Sequence, residues 1–187
     1  MVEKRAHWFE NFLDTLLEKL LFIDESGVNT KMARLRGRAP IGERLVAKIP
    51  HGHWHSNTII SAIRLSGPCA GKLFDGSMNG EKFLAWVTES LVPLLQKDDI
   101  VVMDNLATHK TKGVREAIEN VGARLLYLPP YSPDFNPIEN MWSKIKNFIR
   151  SKAPRTYEDL VKVFHEALAA VSISDCQGFF SHAHYSI

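Results

Sequence analysis

The chain has 187 residues, 45% hydrophobic and 24% charged, with a formal net charge of +2. This composition suits one compact domain with its own core and excludes a disordered or low-complexity chain. No window of about 18 uncharged apolar residues offers a membrane span, and the charged, amphipathic residues 1–20 do not read as a signal peptide.

In chain order, residues 2–19 carry a helical stripe of Phe9, Phe12, Leu13, Leu16 and Leu17, continued by Leu20. The run Leu20-Leu21-Phe22-Ile23-Asp24-Glu25-Ser26-Gly27 reads as a strand buried on both faces that ends in acids and a turn. An arginine-rich loop over 29–42 leads to expected strands at 43–49 and 56–66. The stripe of Phe83, Leu84, Val87, Leu91, Leu94 and Leu95 predicts a helix over 79–96. A second short apolar strand, 99–105, ends in Asp104. It is followed by a polar turn, a helix over 110–121 and a third strand at 123–128. Helices are expected over 137–151 and 156–171, the latter capped by Thr156. The tail after Ser172 gives no clear pattern. Strands first, then alternating strand and helix, indicate an α/β fold with a mixed sheet flanked by helices.

Two cysteines, Cys69 and Cys176, make neither a CxxC pair nor a disulfide framework, which fits a cytoplasmic protein, nucleoid-associated if bacterial. His51, His53 and His55 are spaced by two and would share a strand face. A polar hairpin face is the preferred reading over zinc, since no fourth ligand stands at a recognisable spacing. Positive charge is clustered. Lys31, Arg34, Arg36, Arg38, Arg44 and Lys48 stand against one acid, Glu43; Lys144, Lys146, Arg150, Lys152 and Arg155 stand against none between 140 and 157. Such clusters follow a phosphate backbone or form ordinary solvated faces.

Asp24 and Asp104 both sit at strand ends, where open α/β sheets collect their ligand sites. A proline-stiffened loop, 129–136, then delivers Glu139 at a helix start, with Asn136 as the expected N-cap and Pro137 as the first helical residue. Asn-x-x-Glu also reads as a capping box that closes only its own helix. If the two strands are adjacent and parallel, three carboxylates converge. Hard divalent cations resolve their repulsion, and two ions about 4 Å apart suit phosphodiester chemistry. Glu25 and Asp134 lie close to these acids in sequence, so spacing alone leaves the choice of ligands open. Asn105 and His109 either bind phosphate, order a water or satisfy their turn.

The blocks Phe22-Ile23-Asp24-Glu25-Ser26-Gly27, Val102-Met103-Asp104-Asn105 with His109, and Leu128 to Asn140 with Trp142 and Lys146 resemble the three signature blocks of DDE transposases. The likeness is to the bacterial insertion-sequence branch related to mariner elements. Thirty-four residues separate Asp104 from Glu139, the interval characteristic of that branch. The stretch from Met32 to Pro40 also resembles the segment after the first acid.

The resemblance implies a ribonuclease-H-like fold, dependence on Mg²⁺ or Mn²⁺, and Asp24, Asp104 and Glu139 as the catalytic, metal-binding triad. Glu25, Asn105, His109 and Asp134 are expected beside it. Lys31, Arg34, Arg36, Arg38, Lys110, Lys144, Lys146 and Arg150 are expected on DNA. The implied reaction is strand cleavage at element ends by water, then attack of the freed 3′-hydroxyl on target DNA, by a homodimer on DNA with no small-molecule substrate. The alternatives are an inactive transposase remnant that binds DNA or a partner chain, and a ribonuclease-H-like nuclease of another substrate. Family members carry helix-turn-helix modules upstream of the first acid. About 20 residues precede Asp24 here, too few for one such module. The expected organisation is therefore a single catalytic domain over 1–187, with a leading helix at 1–19, a tail at 172–187 and no N-terminal helix-turn-helix region.

Overall fold

The computed structural model describes residues 5, 7–12, 16–34, 36–46 and 54–185. Five strands form one mixed sheet: β1 (Leu20–Asn29), β2 (Ser56–Arg64), β3 (Gly67–Asp75), β4 (Ile100–Met103) and β5 (Arg124–Tyr127), in the order β3-β2-β1-β4-β5. β1, β2 and β3 form an antiparallel meander, whereas β4 and β5 run parallel to β1. The short apolar runs at 20 and 100 become interior strands, β1 at the centre of the sheet and β4 beside it, because nothing polar interrupts them and both of their faces are covered.

Alternation along β1 divides the core. Leu20 and Phe22 face a cluster built on α3 (Ile138–Lys152), α4 (Tyr157–Ala169) and α5 (Ile173–His182). Leu21 and Ile23 face a second cluster with Phe83, Trp86 and Val87 from α1 (Gly80–Trp86) and the turn that continues it, and with Val114 and Ile118 from α2 (Val114–Glu119). At Gly71 on β3 an added Cβ would lie 2.3 Å from Leu168, so the glycine allows α4 to pack directly on the strand.

Several expectations change. The stripe over 2–19 resolves into 3₁₀ turns at Trp8–Phe12 and Leu17–Lys19 rather than one helix, and Leu13 lies outside the described residues. Residues 43–46 form no strand; 47–49 lie outside the described residues, as do His51 and His53. The third meander strand is β3 instead, joined to β2 by a two-residue turn at Leu65 and Ser66. The helix expected over 79–96 is α-helical only to Trp86. It then relaxes through a π turn at Val87–Leu91 into a 3₁₀ turn at Val92–Leu94, where Pro93 cannot supply an amide hydrogen. Gly113, at φ 96, separates the 3₁₀ turn Thr108–Lys110 from α2. The tail is ordered as α5, started by a capping box between Ser172 and Asp175.

Candidate active site

The parallel register of β1 and β4 pairs Phe22 with Val102. Two residues further along, Asp24 and Asp104 therefore stand side by side where β4 ends; Asp104 follows its strand as expected, but Asp24 lies midway along β1, which stays paired to β2 as far as Asn29. Leu128 donates its N–H to the Met103 carbonyl, so β5 runs out beside them into the loop that carries Glu139. Asp24, Asp104 and Glu139 all border one cavity of about 530 Å³, together with Asn105, Leu106 and residues 128–133.

The helix start differs from the expected cap. α3 begins at Ile138, with Pro137 already helical in φ and ψ and Asn136 extended. The Asn136 side-chain oxygen accepts only a long bond from the Ile138 N–H, at 3.4 Å. The Asn136 N–H donates to the Pro133 carbonyl at 3.0 Å. The return bond of a capping box is thus replaced by a turn, and Glu139 is left exposed at the cavity.

Each aspartate is held by specific partners. Asp24 accepts the Glu25 N–H on Oδ1 at 2.8 Å and the Trp142 indole N–H on Oδ2 at 3.3 Å. Asp104 Oδ1 accepts the Leu106 N–H at 2.9 Å and meets His109 Nδ1 at 2.6 Å. The other ring nitrogen of His109 meets Glu25 Oε2 at 2.7 Å. His109 is fully buried and lies against the Phe83 ring, with centroids 4.6 Å apart. Glu25 points to the α1 face of the sheet and Asp24 to the α3 face, as adjacent strand residues must.

The electrostatics follow from this packing. Burial, and then the charge of Glu139, push the Asp24 carboxyl up to about 7. Burial lowers the affinity of His109 for its proton, but the hydrogen bonds to Asp104 and Glu25 outweigh it and carry the imidazole up to about 10. Burial would raise Asp104, yet the His109 hydrogen bond holds it below its usual range. His109 is therefore an imidazolium that donates to both carboxylates.

Three oxygen donors with one carboxyl strained toward neutrality fit a hard divalent cation by their chemistry. Convergence, however, stops short of the expected ligand cluster. Among the described residues, no group of three or more His, Cys, Asp or Glu is gathered in metal-holding geometry. Asp104 Oδ1 is turned to His109 and Asp24 Oδ2 to Trp142.

The other expected residues separate. Asn105 donates to the Leu128 carbonyl at 2.5 Å and ties the ends of β4 and β5 together. Asp134 does not stand with the carboxylates. It forms a two-pronged ion pair with Arg5, at 2.6 and 3.0 Å. Lys144 is paired with Asp175, so the stretch without acids in sequence acquires one in space. Lys31 lies 4.0 Å above the Trp54 ring and Lys110 lies 5.4 Å from the Tyr127 ring centre. Arg150 donates to Asn147, whereas Arg34, Arg36 and Arg38 are exposed. Lys146 has no ion pair among the described residues.

Sequence reading did not anticipate Arg5, nor the bond that Trp142 makes to Asp24. The helical spacing of Glu139, Trp142 and Lys146 carried the Trp142 signal, since it puts the three on neighbouring turns. No local pattern marks Arg5, which reaches across 126 positions to the Tyr131 carbonyl.

A model of the DDE superfamily endonuclease family matches residues 19–161, more than half of the chain. The uncharacterized protein y4pE/y4sA of Sinorhizobium fredii (strain NBRC 101917 / NGR234) is 30% identical over 63 residues, which cover 33% of this chain and 44% of that protein. Among solved structures, a pre-cleavage Mos1 transpososome matches with a TM-score of 0.73 at 16% identity, and the Mos1 mariner paired end complex with Mn matches at 0.70 and 17%. Each match covers 97% of this chain and 56% of the other, so the chain spans about half the length of those proteins. The likeness carries the ribonuclease-H-like fold that the motifs imply.

Proposed function

This chain belongs to the DDE superfamily endonucleases, and on that basis we propose that it is the catalytic part of a transposase, cutting DNA at element ends and joining the freed 3′-hydroxyl to target DNA. The observation that carries this reading is the meeting of Asp24, Asp104 and Glu139, from β1, the end of β4 and the start of α3, on one cavity. The match to the Mos1 paired end complex with Mn supports the same chemistry.

Asp24, Asp104 and Glu139 would hold two Mg²⁺ or Mn²⁺ ions. Such ions supply stabilisation of the charge that builds on the attacking and leaving oxygens of a phosphodiester. The protein's own part is to hold the carboxylates. Trp142 fixes one oxygen of Asp24, and His109, anchored on Glu25, fixes one oxygen of Asp104. Asn105 keeps the floor between β4 and β5 closed. Lys31, Arg34, Arg36, Arg38, Lys110, Lys146 and Arg150 would hold the polyanion, and two copies would serve two DNA ends.

The test is Asp104→Ala. Because it also removes a partner of the buried His109, the variant is assayed well below its own thermal midpoint; there the change should abolish Mn²⁺-dependent nicking of supercoiled DNA while DNA retention on a heparin-type column stays nearly intact. Nicking that survives it, in a preparation free of host nuclease, overturns the assignment.

A further inference from the structure

A second cavity, of about 290 Å³, opens beyond the end of β1 and shares no lining residue with the carboxylate cavity. Thr30 on its rim lies about 20 Å along the strand direction from Asp24. The register of β2 and β3 pairs Asn57 with Asp75, and both residues border this cavity. Their side chains share a face of the sheet, the one that carries Ile59 and Leu73 into the core beneath α4. Asn57 is 2% exposed. Its amide N–H donates to the His55 carbonyl at 3.2 Å, but its amide oxygen is buried with no hydrogen-bond partner. A buried acceptor left unpaired is costly, and a bound donor would relieve it.

Charge is separated around the same space. Asp75 is exposed and has no ion pair among the described residues. Arg155 borders the cavity too, yet it does not close on Asp75. One of its guanidinium nitrogens donates to the Thr30 and Met32 carbonyls, at 2.9 and 3.3 Å. α4 starts directly after it. Thr156 Oγ accepts the Asp159 N–H at 3.1 Å, so the N–H groups of Tyr157 and Glu158 are left without a carbonyl in their own helix. The cavity thus has an acceptor side, Asp75 with Asn57, and a donor side, Arg155 with the helix start. A simple anion meets Asp75 and a simple cation meets Arg155; a ligand that carries both charges satisfies both sides. The volume stands at the lower limit of small-molecule sites, so that ligand is small.

We propose that this cavity binds a free α-amino acid. Its ammonium donates to the Asp75 carboxylate and the Asn57 amide oxygen, and its carboxylate accepts from Arg155 and the start of α4. His55 and Tyr157 flank the remaining space, which takes a short side chain. The site is independent of the endonuclease reading and stands or falls without it.

The probes are glycine and L-serine, with acetate and methylammonium as the two half-ligands. Each is titrated calorimetrically into the full chain without DNA or metal. The amino acids should bind, and each half-ligand should bind at least about tenfold more weakly, because it lacks one set of charge-assisted bonds. Asp75→Asn removes a charge from an exposed side chain and should weaken amino-acid binding by roughly 10- to 150-fold. A thermal midpoint equal to that of wild type verifies that this variant is folded. Binding that a folded Asp75→Asn leaves unchanged overturns the site, as does acetate or methylammonium binding as tightly as glycine. If no probe binds at about 10 mM, water alone fills the cavity and the proposal is overturned as well.

Discussion

His109 and Asp104 meet at 2.6 Å, with the imidazolium buried and its second nitrogen on Glu25. A buried cation between two acids is stable only while all three are present. Removing one partner leaves an uncompensated charge that water reaches poorly. His109→Gln should therefore destabilise the chain by about 3 kcal/mol, a fall of roughly 6–12 °C in thermal midpoint for a domain of this size. A midpoint within 2 °C or so of wild type would falsify the bridge.

Asp24 makes the opposite prediction about pH. Its folded value of about 7 lies above the ordinary 3.8, so the fold prefers the proton. Stability from this group is full below about pH 4 and is lost as pH rises toward and through 7, by at most about 1.4 kcal/mol per unit. Asp24→Asn has no proton to lose. Without divalent metal it should match wild type near pH 4 and exceed it above pH 7, by thermal melts across that range. Excess Mn²⁺ should narrow the gap at high pH by stabilising the wild-type carboxylates.

Asp175 is the third titrating element. The Lys144 hydrogen bond first, and the Ser172 bonds second, hold it at about 2, below its ordinary 3.8. The contribution is present above pH 4 and disappears as pH falls from about 4 to 2. Because both side chains remain partly open to solvent, Asp175→Asn should cost no more than about 1 kcal/mol, and high salt should reduce the cost further. Equal acid unfolding profiles for wild type and variant would count against it.

The same pair separates two lysines on one helix. Lys146→Ala should weaken DNA binding and reduce the salt dependence of log K by about one contact. Lys144→Ala should act on stability and leave the salt slope nearly unchanged, since its ammonium is engaged by Asp175. Salt titrations of both variants against one duplex decide this; equal slopes would refute the distinction.

The parts of the site legible in the sequence are those with a local pattern. Asp24 and Asp104 announce themselves because each ends a short, uninterrupted apolar run, and the parallel pairing of those runs brings the two together. Glu139 was legible from the proline block before it. β3 was hidden because Gly67, Pro68 and Gly71 depress any strand pattern and most of its residues are only half-buried. The better signal was the two-residue turn before Gly67. The leading stripe promised a helix, but Trp8 and Phe9 are drawn to Tyr185 and Phe135, and tertiary packing overrides the helical period. The Glu25–His109 bridge spans 84 positions and the Arg5–Asp134 pair spans 129, so no periodicity records either. α5 was available in principle from Ser172 and Asp175, which have the spacing of a capping box.

The Tyr185 hydroxyl accepts from the Trp8 indole at 2.9 Å and donates to the Phe135 carbonyl at 3.0 Å, while Arg5 covers the Phe135 ring at 4.4 Å. Positions near both ends of the described chain thus close on the turn just ahead of Glu139. The turn that aims the third acid is braced from both sides of the sequence, by Arg5 and Trp8 before it and by Tyr185 after it, whereas the two aspartates are brought side by side by the pairing of neighbouring strands.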